Sequence, residues 1–191
     1  MRYSAEHKRR TRRRIVERAA AALRRRGLGV GVADLMREAG LTHGGFYAHF
    51  RSKDALLAEA VDVASEQSVR NLRKVIKRAG SRPALAAIGD AYLTAAHRDR
   101  PDRGCALAAV GTELARESPA ARRALAAQVA SLLSLLAECA PDQRAVTRRR
   151  RAMTTLSCLV GALILSRIVV DRQTSADILS AARRHLTELD G

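Results

Sequence analysis

Residues 40–60 read G-L-T-H-G-G-F-Y-A-H-F-R-S-K-D-A-L-L-A-E-A. Gly40 and Leu41 form a turn, Thr42 to Phe50 is a short segment crowded with polar and aromatic groups, and Ser52 is placed to cap a much longer helix. A basic helix and an eight-residue apolar pattern stand before this run, and the composition after it becomes aliphatic. Two short helices around a glycine turn, the second slim enough to enter a major groove, are the parts of a helix-turn-helix DNA reader.

Outward from that segment, nearly every stretch has helical period and none alternates apolar and polar residues for long, so the chain reads as all-α. The first helix should run from near Ser4 to Arg26 with Ile15, Ala19, Ala22 and Leu23 inward and Gly27 as its left-handed terminus. The second, Val32 to Ala39, places Val32, Leu35, Met36 and Ala39 on one side. Thr42 should cap the third, whose Phe46 and Phe50, four apart, face the first two helices. Three of the five aromatics fall in this one segment, as a small helical unit short of core volume requires. Leu57, Val61, Ala64, Leu72, Val75 and Ala79 then line one side of a long helix from Lys53 to about Arg78. Further helices are expected from Ser81 to Arg100, Cys105 to Arg116, Ser118 to Cys139, Pro141–Asp142 to Val170, and, capped by Thr174, to Leu189.

A helix that reads base edges must carry small or planar polar groups where it meets the groove. Gly44 and Gly45 meet that need, although two glycines inside a helix cost about 1 kcal/mol each against alanine. Thr42, His43, Tyr47 and His49 offer groups for bases or phosphates, and Lys53 at the next helix start suits a phosphate. At these residues the chain resembles the TetR (tetracycline repressor) family of bacterial transcriptional regulators, over about Lys8 to Ser68, most tellingly in F-Y-A-H-F and S-K-D-A-L-L. The resemblance implies an all-helical homodimer: a helix-turn-helix domain, residues 8–68, would bind a palindromic double-stranded DNA operator, and residues 69–191 would bind a small-molecule effector and dimerise. It also implies that Thr42, Gly44, Gly45, Tyr47 and His49 turn toward DNA and that Lys53 touches a phosphate. The chain departs from the pattern at the start of the second helix, where Val30 and Gly31 replace the usual Thr or Ser. The basic run Lys8 to Arg14, with Arg12 in it, can compensate through counterion release.

Charge supports a polyanionic partner. The 191 residues carry a formal net charge of +16, with +6 between Met1 and Arg14 and +9 through Ala55, so more than half the excess lies in the first third. The C-terminal region says less. Ala152 to Val170 is nearly uncharged, but its run stops at Arg167 after about fifteen residues, short of the roughly twenty that a membrane span needs. It should be buried in a core or a subunit interface, and with the last helix it suits a four-helix dimer contact in which Gly161 and Ala162 permit close approach.

Tyr92 is the one aromatic of residues 69–191, so a small aliphatic or reactive effector fits better than a flat cationic one. Tyr92 and His97 can line such a pocket. Cys105 follows P-D-R-G at a helix start, where the dipole and Arg103 favour thiolate, and resembles the R-G-C setting of family members that sense electrophiles. Three scattered cysteines suggest reduced thiols in a cytoplasm, and no metal, cofactor or catalytic spacing occurs, so no enzyme is expected. Two other readings stay open: a sequence-independent, Arg-rich architectural DNA binder without an effector, and a basic helical protein of membrane surfaces.

Overall fold

The computed structural model describes residues 5–141 and 144–188. Among them every regular element is helical. Helix α1 spans Ala5–Arg26, α2 Val32–Glu38, α3 Lys53–Ala79, α4 Ala84–Tyr92, α5 Ala95–Asp99, α6 Ala106–Glu117, α7 Pro119–Cys139, α8 Ala145–Ile168 and α9 Arg172–Glu188. Short 3-10 turns cover Gly27–Gly29, His43–Ala48 and Pro101–Arg103. The helix ends expected at Ser4, Asp142 and Leu189 lie outside the described residues.

Packing divides the chain into two compact units. The first runs to Glu66 and also takes in Pro101–Ala126; the second consists of Gln67–Arg100 and the residues from Ala127 onward. Residues 101–126, which follow the sequence-expected boundary at 68, therefore pack with the N-terminal elements. The cause is a set of long-range contacts: the buried Arg24 donates from Nε and Nη2 to the Asp102 carbonyl at 3.0 and 2.6 Å, and Leu23, Leu57 and Val61 share a cluster with Val110, Leu114 and Ala121.

In the first unit, Ile15, Val16, Ala19 and Ala20 of α1 meet Leu35 and Met36 of α2, Phe46, Phe50, and Leu56 and Ala60 of α3 in one apolar cluster. The rings of Phe46 and Phe50 stack at a centroid distance of 5.6 Å. Gly27 ends α1 with φ +68°, which favours glycine, and a Cβ there would lie 2.8 Å from a Glu113 carboxylate oxygen, so an added side chain would also displace that carboxylate. Gly40 breaks α2 with φ +73°. Ser52 Oγ accepts from the Ala55 N–H at 3.1 Å, the expected cap of α3.

The expected third helix takes a tighter form. His43–Ala48 is a six-residue 3-10 turn, and Thr42 precedes it without a side-chain cap bond. Two adjacent glycines lower the propensity for α-helix, and a 3-10 turn closes the segment over fewer residues while still burying Phe46.

The second unit corrects two further expectations. The helix from Ser81 to Arg100 is interrupted: Leu93 is wholly buried with φ −89° and ψ 64°, and the Thr94 hydroxyl accepts the His97 N–H at 3.0 Å to begin α5. The last helix is capped by Asp171 rather than Thr174, since Asp171 Oδ2 accepts the Thr174 N–H at 2.7 Å. Hydrogen bonds from the Thr174 side chain and then from its N–H hold the Asp171 carboxyl below its ordinary pKa. Arg167 reaches the C-terminal carbonyls of α5, donating to Arg98 O at 3.1 Å and His97 O at 2.8 Å. Helices α7 and α8 are long and apolar enough to cross a membrane by length and composition alone, a composition that core helices of soluble proteins share. Here α8 packs on α4, α5 and α9.

Phe46 is fully enclosed, so Phe46→Ala is expected to cost the first unit about 3–5 kcal/mol through lost burial and a cavity. Urea unfolding followed by circular dichroism measures this, and a loss under about 1 kcal/mol would remove the ring stack as the anchor of that core.

Candidate nucleic-acid interface

The segment from Thr42 to Phe50 sorts its side chains cleanly. Phe46 and Phe50 point into the core, whereas Thr42, His43, Gly44, Tyr47 and Ala48 are exposed, and Tyr47 is 70% accessible. His43 and Tyr47 lie edge to face with centroids 6.4 Å apart, so two planar polar groups stand together on the outer side.

The two glycines are informative because nothing inside the protein requires them. Neither has a positive φ. A Cβ on Gly44 would meet nothing within 4 Å, and one on Gly45 would make ordinary contacts with Met36 and Thr42 at 3.8 Å. A surface that forgoes side chains at a cost in helix stability, with room for them, is shaped for close approach from outside.

Arg12 behaves differently from the other basic residues of α1. Its guanidinium donates to the His49 carbonyl and to the Glu59 carboxylate, and its Cζ stands 4.3 Å from the centre of the Phe50 ring. It joins α1, the exit of the 3-10 turn and α3, which makes it a clamp on the recognition segment. Sequence reasoning placed it among groups turned to DNA and missed this positioning role; Glu59, 47 residues away, was the unread partner.

Lys53 Nζ donates to the Leu28 carbonyl at 3.2 Å. The Leu28 N–H in turn donates to Glu113 Oε2 at 3.2 Å. The Lys53 ammonium has three donors and spends one of them here, so it is oriented at the start of α3 with capacity left for an anion. His49 is half-buried, and burial, then Lys8, then Arg12 push its imidazole below its ordinary pKa. It is neutral at pH 7, a hydrogen-bonding group rather than a cation.

The residues expected to sense an effector belong to different units. Cys105 is buried in the first, as the residue before α6. The cation coupled to it is Arg24, whose pKa burial lowers and the charges of Cys105 and Asp102 raise; Arg103 instead faces Asp102 at 3.8 Å and is exposed. Tyr92 and His97 belong to the second unit, with ring centroids 4.5 Å apart. His97 Nδ1 lies 2.8 Å from the Tyr92 carbonyl, and since a carbonyl only accepts, this nitrogen carries the proton. A recess of about 260 Å³ in that unit is lined by Arg98, Arg167, Arg172 and Ser175 among others, a polar lining unlike the aliphatic one that composition suggests. No group of three or more His, Cys, Asp or Glu that could hold a metal occurs among the described residues.

The model of the tetR family of bacterial regulatory proteins matches residues 15–60. That span holds the core half of α1, α2, the recognition segment and the start of α3. Across nearly the whole chain, the structure is similar to a TetR transcriptional regulator from Chloroflexus aurantiacus, at 26% identity and a TM-score of 0.78 with 96% of this chain and 95% of that one covered. Residues 15–60 carry the DNA-binding region of the tetR family, and the chain as a whole has the TetR fold.

Two more remote TetR-fold relatives agree in architecture: a TetR-family regulator from Cytophaga hutchinsonii, TM-score 0.81 at 20% identity with 99% and 98% covered, and the reduced form of NemR from Escherichia coli, TM-score 0.79 at 19% identity with 95% and 97% covered. Among curated proteins, no relative matches the sequence. Residues 15–60 thus form the helix-turn-helix region of a family whose members are DNA-binding transcriptional regulators.

Gly44 has space for a methyl group and an ordinary φ, so Gly44→Ala should leave the melting temperature unchanged or raise it, by the equivalent of up to about 1 kcal/mol. The same change should weaken DNA binding at least tenfold in a fluorescence anisotropy titration. Retained affinity in the folded variant would show that Gly44 does not lie against DNA.

Proposed function

We propose that the protein is a homodimeric repressor that holds a palindromic operator and is released from it by a small-molecule effector in the cytoplasm. The observation that carries the DNA-reading part is the outward set Thr42, His43, Gly44, Gly45 and Tyr47 on a rigidly clamped turn, with two glycines that the fold itself does not need. Thr42, His43, Tyr47 and His49 supply donors and acceptors for base edges or phosphates, and Lys53 supplies a phosphate contact at the start of α3.

Dimerisation rests on α8. One face of it is buried by Ala152, Leu156, Leu159 and Leu163 within the chain. Another exposes Val146, Met153, Leu165 and Ile168, and Val170 beyond the helix end is 95% accessible. A Cβ at Gly161 would meet nothing within 4 Å, so a second backbone has room to approach there. A second copy of the chain, presenting the same apolar helix, is the occupant that matches this surface.

Release follows from linkage. An effector shifts the protein only as far as its affinities for the binding and non-binding states differ. Within the first unit a relay is in place: Glu113 of α6 holds the Leu28 N–H, Lys53 holds the Leu28 carbonyl, and Ser118 donates to Asp54 in the first turn of α3. A displacement of α6 would therefore reach Lys53 and the start of α3 together.

Selection of duplexes from a random pool by the purified full chain is expected to enrich an inverted repeat whose half-sites are centred about 10 base pairs, or a multiple of that, apart. Enrichment of no sequence over the starting pool would instead favour the architectural DNA binder, which neutralises phosphates without reading bases.

A further inference from the structure

The hollow of about 260 Å³ in the second unit lies where the end of α5, the end of α8 and the start of α9 come together. Its polar wall is Arg98 and Asp99 of α5, Ser166 and Arg167 of α8, and Arg172 and Ser175 of α9. Three guanidiniums thus stand against one carboxylate, a formal excess of two positive charges around one small cavity.

Two of the arginines are held in place by groups that do not neutralise them. Arg98 Nη1 donates to Ser175 Oγ at 3.0 Å, and that buried hydroxyl donates onward to the Ser166 carbonyl at 2.5 Å, which fixes its orientation. Arg167 lies against the last carbonyls of α5, donating to His97 O and Arg98 O. Neutral oxygens therefore orient these two side chains, and their charge stays on offer to the hollow.

Asp99 is the one internal anion of the lining. Its two oxygens accept from Arg98 at 2.7 and 3.2 Å. The same bond holds its carboxyl below its ordinary pKa, and the charges of Arg98, Arg172 and Arg167 add to this against the opposing effect of burial. The three arginines thus act on one point, which Asp99 answers with a single charge. Its side chain is 60% accessible, so the pair with Arg98 is screened by water and costs little to open. The start of α9 is not the source of attraction, because Asp171 already accepts the Thr174 N–H there.

We propose that this hollow binds a compact dianion, a phosphate or a short dicarboxylate, between the guanidiniums of Arg98, Arg167 and Arg172, with Asp99 as the internal anion that the ligand displaces. Planar arginine forks match the paired oxygens of either group, and two negative charges match the excess. The volume, below the roughly 300–1,000 Å³ of sites for drug-sized ligands, restricts the ligand to a few heavy atoms. Binding belongs to the second unit alone and does not depend on the reading of DNA.

The test is a nuclear magnetic resonance titration of the full chain, amide by amide, with inorganic phosphate, succinate and acetate in about 50 mM sodium chloride. Because the chain carries +16 overall, the position of the response matters as much as its strength. Phosphate or succinate should shift the amides of residues 97–99 and 166–175 with one shared dissociation constant, and acetate should bind at least about tenfold more weakly. The tighter of the two dianions identifies the ligand as phosphoryl or dicarboxylate. Arg172→Ala should weaken binding about fivefold or more. Asp99→Asn should tighten it about threefold or more by removing the competing carboxylate. Arg184→Ala and Asp177→Asn, exposed changes of the same charge on α9 outside the hollow, should leave it within about twofold. Melting temperatures of these surface variants should stay near that of the parent. Shifts confined to the basic run of α1, equal losses for Arg172→Ala and Arg184→Ala, or no saturation by either dianion at about 10 mM would overturn the site. Acetate binding as tightly as the dianions, or an unchanged constant in Asp99→Asn, would overturn the displacement of one charge by two.

Discussion

The first unit depends on one side chain, Arg12. A helix-turn-helix needs its reading segment held at a fixed attitude, yet that segment is here a six-residue 3-10 turn with two glycines, too short and too weak in propensity to hold itself. Phe46 and Phe50 fix it from beneath by burial, and the Arg12 guanidinium fixes its exit by bonding the His49 carbonyl, bonding Glu59 and lying over Phe50. The planar fork of arginine permits all three contacts at once; a lysine ammonium could reproduce the charge but neither the fork nor the stacking. Rigidity is supplied from α1 and α3, and the turn itself is left bare for DNA.

The division of roles among the arginines follows from helical spacing. Arg12 shares the side of α1 that meets Glu59 and Phe50, while Lys8 and Arg14 border an open recess and Arg13 is tied to Glu17. A single run of basic residues therefore contains a structural clamp, a surface ion pair and a free cationic pair. Farther along α1, Arg24 is a buried charge, two of whose donors the Asp102 carbonyl takes and which the charges of Cys105 and Asp102 favour.

Much of the fold was legible because periodicity and punctuation carried it. The inward faces of α1 and α2, the breaks at Gly27 and Gly40, the Ser52 cap and the roles of Phe46 and Phe50 all follow from residues within a few positions of one another. What was not legible depends on partners distant in sequence or on competition between near-equal local structures. Arg12 could not be separated from its basic neighbours without Glu59, and residues 101–126 could not be assigned to the first unit without the Arg24 to Asp102 contact. The break at Leu93 and Thr94 arises because burying Leu93 outweighs continuing a helix that a threonine can restart. Asp171 and Thr174 both suit a helix start, and spacing alone does not decide which one caps. In the effector region, Tyr92, His97 and Cys105 drew notice as rare residue types, but residue type carries no information about the unit to which each belongs.

The central claim is that the face made by the recognition segment, with the first turns of α1 and the start of α3, is where DNA lies. Amide hydrogen exchange of the full chain, with and without the selected duplex, tests it most directly. Slowed exchange at residues 42–53 and in the first turns of α1, with the buried center of α2 unchanged, is the predicted result. Unchanged exchange there, with protection confined to the arginine-rich start of α8, would contradict it.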